Sequence, residues 1–193
     1  MVVTLIIVFV VAIYIWSVYN RFVTTKTRIT ASVQEIGNQL KRQAELIPNL
    51  IESVKGYMKH EKSIFEDLTD ARKSILQAAS KNDPREMLKA HEGFRKKYGE
   101  FMALVESTPQ IRASETVNKL MDQLTDTADK IMYSRRLLID LTADYNIMVV
   151  TFPSNLVAKI FGFKSEEGLK MPEEGEFREV SPEERKTPKV NLG

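Results

Sequence analysis

Two histidines are the side chains of this chain best suited to acid–base or metal chemistry, and neither stands in a recognisable constellation. His60 is followed by Glu61, but Ile64 stands where a zinc-binding H-E-x-x-H helix needs its second histidine. His91 has Arg95, which is not a metal ligand, four residues further on. Helical bundles that bind two metals need Glu-x-x-His pairs, and the sequence contains none. We therefore expect neither a metal nor another cofactor.

Other motifs for catalysis or nucleic-acid binding are missing as well. The chain has no cysteine, which excludes a thiol nucleophile, a disulfide framework and a thiolate zinc site. It contains neither the G-x-S-x-G nucleophile turn nor a glycine-rich phosphate loop. Its 28 Lys and Arg nearly balance its 26 Asp and Glu, unlike the basic excess typical of nucleic-acid binders. We expect no enzyme and no nucleic-acid partner.

The most informative pattern is a helical apolar stripe that crosses a proline in residues 39–61. Its members recur in steps of four and three: Leu40, Ala44, Ile47, Ile51, Val54 and Met58. A proline inside a helix loses one backbone hydrogen bond and clashes with the preceding turn, at a cost of ~3 kcal/mol. We expect the helix either to kink at Pro48 or to restart with Pro48 as its first residue.

An uncharged apolar run of 18 residues begins at Val2 and ends at Tyr19. Its length matches a helix that crosses the ~30 Å hydrocarbon core of a bilayer. It lacks the basic start and small-residue cleavage site of a signal peptide, and Tyr14 and Trp16 near its end resemble an interfacial aromatic belt. We expect a membrane-spanning helix, with the lipid bilayer as its partner.

Basic residues follow this run and none precedes it. Arg21, Lys26 and Arg28 lie within the ~15–20 residues that count for the positive-inside rule. We therefore expect a single-pass protein of the cell membrane, with its N terminus outside and the remaining chain in the cytoplasm.

Three amphipathic stripes predict the fold beyond the span. The first extends to about residue 80, and a straight helix over 21–80 would be ~90 Å long, so part of it should form a stalk or fold back at Pro48. The second covers 87–105 and the third ends near 150. Because short connections make consecutive helices antiparallel, we predict an all-α protein: an N-terminal single transmembrane helix followed by an antiparallel up-and-down helical bundle of three to four long helices.

Two connections carry signals for helix starts. Asp83 is an N-cap residue, Pro84 suits the first helical position, and Glu86 completes a capping-box pattern. Thr108 before Pro109 predicts the cap of the third helix in the same way.

The segment FPSNLVAKIFGF, residues 152–163, predicts a stop and then a short apolar helix that ends at Gly162. This helix could pack on the bundle or lie on the bilayer surface through Leu156, Ile160, Phe161 and Phe163. From Lys164 onward almost no apolar residue occurs, which predicts disorder. The expected organisation is an anchor (1–20), a cytoplasmic helical bundle (21–163) and a disordered tail (164–193).

The sequence resembles the LemA family of membrane-anchored helical proteins in several segments. They are QLKRQAELIPNLIESVKGYMKHE, FPSNL, and the pairs Tyr19-Asn20 and Tyr145-Asn146. The resemblance implies a single-span protein with its N terminus outside, a four-helix-like antiparallel bundle and no established catalytic residues. The chain departs from the usual pattern at Gly37, at Gln43 and at Leu138-Ile139, where members usually carry an acidic residue, a basic residue and a Tyr-Asn pair.

The resemblance suggests an adaptor for membrane-associated proteins, since members are discussed beside membrane metallopeptidases, envelope stress and organelle-membrane biogenesis. The polar residues around the proline are our candidate interaction surface: Gln39, Lys41, Arg42, Pro48, Asn49, His60 and Glu61. The alternative is a protein that binds or shapes membrane surfaces through residues 152–163. An enzyme ranks third because no catalytic constellation occurs. Self-association into a homo-oligomer remains open.

Overall fold

A computed structural model describes residues 1–58 and 61–169 of the chain. Throughout these residues the secondary structure is helical and includes no strand, which confirms the predicted all-α class. The helices are α1 (Val2–Val54), α2 (Lys62–Lys81), α3 (Pro84–Glu106), α4 (Pro109–Arg112), α5 (Glu115–Val150) and α6 (Ser154–Phe161).

The four long helices α1, α2, α3 and α5 form an antiparallel up-and-down bundle, as predicted. Asp67, near the start of α2, pairs with Lys97 late in α3 at 3.0 Å. Lys81, at the end of α2, lies 3.5 Å from Glu86 in the first turn of α3. These two contacts require α2 and α3 to run in opposite directions.

Helices α1 and α5 make the longest interface of the fold. Phe22 of α1 meets Tyr145, near the end of α5, edge to face with 5.6 Å between ring centroids. Arg42, twenty residues further along α1, lies 3.5 Å from Asp126 in the first half of α5. The two helices therefore run antiparallel from the end of the apolar run to at least Arg42 of α1.

Helix α1 continues through Pro48 without a break, so the helix does not restart there. The proline has no N–H to donate to the carbonyl oxygen of Ala44, four residues earlier. Arg72 of α2 supplies a donor instead, since its Nε donates to that oxygen at 3.0 Å. Of the predicted stripe, Ile51 is half-buried and the other members are buried in the core.

The chain reverses direction after Val54, not at Pro48. The backbone N–H groups of Tyr57 and Met58 both donate to the carbonyl oxygen of Val54, at 2.9 and 3.1 Å. Met58 is buried and joins the core cluster. The fold-back therefore lies about two helical turns beyond the proline, where Gly56 stands in the turn.

One predicted helix start is confirmed and the other is displaced. Asp83 accepts a hydrogen bond from the backbone N–H of Arg85 at 2.8 Å and starts α3. Thr108 precedes only the four-residue α4, and its hydroxyl donates to Leu104 instead of capping. The long helix α5 begins after Ser114, whose Oγ accepts from the N–H of Val117 at 3.4 Å.

The short apolar helix is present as α6 and ends at Gly162, which has a φ of 74°. The tail that is predicted to be disordered begins at Lys164; its residues 164–169 contact the bundle, and the rest of it lies outside the described residues. We call residues 163–169 the strap. Glu166 pairs with Lys26 of α1 at 2.7 Å, and Glu167 pairs with Arg85 of α3 at 2.9 Å.

Candidate functional site

The predicted interaction surface is divided by the fold. Lys41, Arg42, Pro48 and Asn49 are exposed on the outer side of α1, and we call these four residues the α1 ridge. Gln39 is half-buried outside this ridge, and its Nε2 donates to Glu35 at 2.7 Å. Glu61 is exposed just before α2, and His60 lies outside the described residues.

The ridge is only partly free to bind another molecule. Arg42 lies 3.5 Å from Asp126, an ion pair whose members are each nearly half exposed. Exposed pairs of this kind contribute little to stability, about 0–1 kcal/mol, so Arg42 can exchange this partner for another carboxylate. The hydrogen bond from Lys130 and the nearby charge of Arg42 lower the pKa of Asp126.

The second histidine belongs to a polar group buried between three helices. His91 Nδ1 lies 3.2 Å from Gln43 Oε1, and Gln43 Nε2 donates to the hydroxyl of Thr127 at 3.4 Å. His91 is 2% exposed, and burial, with the charges of Arg95 and Arg135, lowers its pKa to about 4. At neutral pH the imidazole is therefore uncharged, and Nδ1 carries the proton that Gln43 accepts.

This buried group shows no sign of a ligand site. The other ring nitrogen of His91, Nε2, has no hydrogen-bond partner within the described residues. Across that same part of the chain, no three His, Asp or Glu side chains are grouped so that they could hold a metal. The arrangement fixes how α1, α3 and α5 are aligned, because a buried polar group is stable only next to its partners.

The turn between α5 and α6 carries the largest group of exposed apolar side chains outside the N-terminal run. We call this group the α5–α6 corner: Ile147, Val150, Phe152, Leu156, Ile160 and Phe161. Phe152 is 75% exposed and Ile160 is 70% exposed. On the opposite side of α6, Val157 and Ala158 are buried against the bundle. The helix is amphipathic, with an apolar outer side that the bundle does not cover.

The α5–α6 corner lies beside the end of the apolar run. Phe161 packs against Tyr19 with ring centroids 4.8 Å apart. Phe163 stacks on Phe22 at 4.6 Å and is half-buried against the local core. The candidate membrane-contact residues therefore differ in exposure: Leu156, Ile160 and Phe161 are exposed, whereas Phe163 is half-buried.

The apolar run forms the first part of α1 and has the properties of a membrane span. It contains an 18-residue window with a mean hydropathy of 2.6, of which none is buried in the protein. It is the one helix of the described residues that is long and apolar enough to cross a bilayer.

A cavity of about 300 Å³ lies between this apolar helix and the α5–α6 turn. Tyr14, Ser17 and Arg21 line it from α1, together with Val18. Met148 and Ser154 line it from the other side. A second cavity, of about 360 Å³, lies on another face of α1 beside Phe161 and is lined by Ala12, Ile15, Trp16 and Tyr19.

The strap is held by one residue of the Tyr145-Asn146 pair. The side chain of Asn146 donates to the carbonyl oxygen of Glu166 and accepts from its N–H, both at 2.9 Å. The ion pair with Glu166 raises the pKa of Lys26. Tyr145 packs against Phe22, and burial raises the pKa of its phenol. This pair therefore joins α5, the strap and the part of α1 just beyond the apolar run.

Sequence reasoning missed the cavity at Arg21 and half of the α5–α6 corner. The spacing of Tyr14, Ser17 and Arg21, three and then four residues apart, places them on one helix face and could have indicated a shared site. For Ile147, Val150 and Phe152, the sequence offers no signal that separates an exposed apolar residue from a core residue at the end of a buried stripe.

Comparison with known proteins identifies related sequences. The model of the LemA family matches residues 32–191. The chain is similar to magnetosome protein MamQ of Magnetospirillum gryphiswaldense, with 26% identity over 189 residues that cover 86% of this chain and 69% of the relative. Magnetosome proteins MamQ 1 and MamQ 2 of Paramagnetospirillum magneticum match with the same identity and coverage.

Proposed function

Because the chain belongs to the LemA family, we propose that it is a membrane-anchored helical scaffold that presents its bundle to other membrane-associated proteins. The observation that carries this proposal is the continuity of α1, which runs from the apolar span into the bundle core without a loop. A continuous helix fixes the height of each bundle residue above the bilayer. Such a fixed height suits an adaptor better than a flexible tether would.

The α1 ridge is the surface that we assign to the partner. Lys41 and Asn49 follow Tyr19 by 22 and 30 residues, which places them about 33 and 45 Å beyond the end of the span at 1.5 Å per residue. A partner would therefore have to project a similar distance from the membrane.

Photocrosslinking in intact membranes tests the adaptor role. A photoreactive residue at Asn49 should capture the same protein in repeated experiments. Gln123 is the matched control, since it is exposed on α5 at a similar height, given that Gln43 lies opposite Thr127. Capture from both positions alike, or of lipid or further copies of this chain alone, would contradict the adaptor role.

We also propose that the bundle lies on the cytoplasmic side of the membrane. Lys159 and Lys164 are exposed near the end of the span and add to the positive charge of Arg21, Lys26 and Arg28 there. The chain has no cysteine, so one introduced thiol is a unique label. Tyr133→Cys should resist a membrane-impermeant thiol reagent in intact cells and react after lysis. Labelling of intact cells would place the bundle outside.

A second candidate function is contact with the membrane surface, which the α5–α6 corner favours. Its exposed apolar side chains lie beside the end of the span, at the depth of the bilayer interface. We expect Leu156, Ile160 and Phe161 to enter the headgroup region while Val157 and Ala158 stay on the bundle.

An environment-sensitive dye distinguishes this contact from exposure to water. The dye is attached to Ile160→Cys or to Tyr133→Cys in the full chain reconstituted into vesicles, because both parent side chains are 70% exposed. Dye at position 160 should show the blue-shifted emission of an apolar surrounding, and dye at position 133 should not. Equal emission at the two positions would mean that the corner does not enter the membrane.

A further inference from the structure

The cavity beside Arg21 has the position and the chemistry of a lipid headgroup site. It lies between the last turns of the span and the α5–α6 turn, with a volume of about 300 Å³. Arg21 is the first charged residue after the apolar run, two positions beyond Tyr19. Arginine at such a position extends its guanidinium to the level of the lipid phosphates while its aliphatic part stays in the apolar region.

Among the described residues, none neutralises the charge of Arg21. In the part of the chain that the structure describes, no carboxylate lies within ion-pair distance of its guanidinium, whereas the nearby Lys26 pairs with Glu166 at 2.7 Å. A guanidinium presents five donors in a planar fork that matches the oxygens of a phosphate. Arg21 is therefore suited to an external anion.

The other polar side chains around the cavity complete the donor set. Tyr14 and Ser17 line it on the same face of α1 and carry hydroxyl groups. The hydroxyl of Ser154 is already used, because it lies 2.7 and 2.8 Å from the carbonyl oxygens of Met148 and Thr151. The donors thus come from α1, within two helix turns of one another.

The apolar surroundings indicate a lipid rather than a soluble anion. Val18 and Met148 line the same cavity, and Tyr14 lies about 10 Å deeper along the span than Arg21 at 1.5 Å per residue. A ligand that reaches from Arg21 to Tyr14 has a charged end at the membrane surface and an apolar part inside the bilayer.

We propose that this cavity binds the headgroup region of one phospholipid from the leaflet on the side of the bundle, with the guanidinium of Arg21 on the phosphate and the hydroxyls of Ser17 and Tyr14 on the polar groups that link the phosphate to the acyl chains. The site requires that α1 crosses the bilayer. It does not depend on the adaptor role or on insertion of the α5–α6 corner.

Native mass spectrometry of the full chain in detergent, with added phosphatidylglycerol, tests the site. The unaltered protein should retain one phospholipid. Arg21→Gln should weaken that binding about tenfold to a hundredfold, because charge-assisted hydrogen bonds contribute about 1.5–3 kcal/mol. Arg28→Gln removes the same charge from an exposed position seven residues further along α1, and it should bind lipid like the unaltered protein.

Two further measurements keep the proposal open to refutation. Should Arg21→Gln fail to fold or insert, Tyr14→Phe with Ser17→Ala keeps every charge and should weaken binding severalfold. Excess inorganic phosphate should not displace the lipid; full displacement would mean that the cavity takes a free phosphate. Equal loss in the Arg21 and Arg28 variants would indicate diffuse attraction to anionic lipid, and no loss in any variant would exclude the site.

Discussion

The Nε of Arg72 donates a hydrogen bond of 3.0 Å to the carbonyl oxygen of Ala44. Within a regular helix that oxygen would accept from the N–H of residue 48, which is a proline and has none. Helix α2 thus supplies the donor that α1 lacks. This contact explains how α1 stays continuous where the sequence alone allowed a restart.

Removing the Arg72 donor should destabilise the protein much more when residue 48 is proline than when it is alanine. We expect Arg72→Met to lower the free energy of unfolding by about 1–2 kcal/mol, because it leaves the Ala44 oxygen without a partner. In a Pro48→Ala background the helix regains its own donor, so the same substitution should cost much less. Chemical denaturation of the four proteins, followed by circular dichroism, gives the coupling. An equal cost in both backgrounds would show that Arg72 acts independently of Pro48.

The buried His91 should make the bundle sensitive to mild acid. Its pKa is about 4 in the folded protein and 6.5 as the reference value, so the unfolded chain binds the proton more tightly. The contribution of neutral His91 is therefore complete above pH 6.5 and is lost as the pH falls towards 4. Between pH 7 and pH 5 we expect a loss of about 2 kcal/mol.

The matched control is His91→Asn, whose side-chain amide keeps a donor for Gln43 and does not titrate. Denaturation midpoints at pH 7 and pH 5 should differ less for this variant than for the unaltered chain. If the two proteins lose the same stability over this range, His91 is not the responsible group.

The strap should become more mobile when the hydrogen bonds between Asn146 and Glu166 are removed. Asn146→Ala deletes both hydrogen bonds to the backbone of Glu166. We expect amide exchange in residues 163–169 to become about 5–30-fold faster, as the loss of 1–2 kcal/mol implies. Asp144→Ala, a change at an exposed neighbour on α5, should leave exchange unaltered. Unchanged exchange in the Asn146 variant would show that the ion pairs of the strap are sufficient.

Gly37 should tolerate a small side chain and no large one. A Cβ built at this position lies 3.3 Å from the terminal methyl of Met87, the end of a flexible side chain that can shift. Because alanine favours a helix over glycine by about 1 kcal/mol, Gly37→Ala should stabilise the protein by up to that amount. Gly37→Glu should destabilise it by burying a carboxylate. Thermal unfolding of both variants checks the order, and a destabilising alanine would mean that Met87 cannot move.

The features that the sequence predicted correctly are local. The apolar stripe of α1 and the start of α3 at Asp83 follow from spacing and capping within one turn of helix. The features that it missed depend on distant partners. Arg72 lies 28 residues from Ala44, and Asn146 lies 20 residues from Glu166. Composition predicts disorder from Lys164 onward because it counts apolar residues, and it does not register contacts such as those of Glu166 with Asn146 and Lys26.

In the candidate sites too, the sequence predicts local features and misses those that depend on distant residues. Exposure of Lys41 and Asn49 could be predicted from the helical period, since both lie away from the apolar stripe. The exposure of Phe152 could not, because it depends on where α6 packs, and the cavity at Arg21 exists only where that turn meets the span.

Because α1 is unbroken, any tilt of its membrane span also tilts the bundle. From Tyr19 to Val54 the helix extends about 52 Å, so a span tilted by about 20° carries its upper end about 18 Å sideways. Tilt grows when the hydrocarbon core becomes thinner than the apolar run, which measures about 27 Å. Membrane thickness would therefore set the angle between the bundle and the membrane plane. It would also set how far sideways the far end of the bundle lies from the point where α1 leaves the membrane.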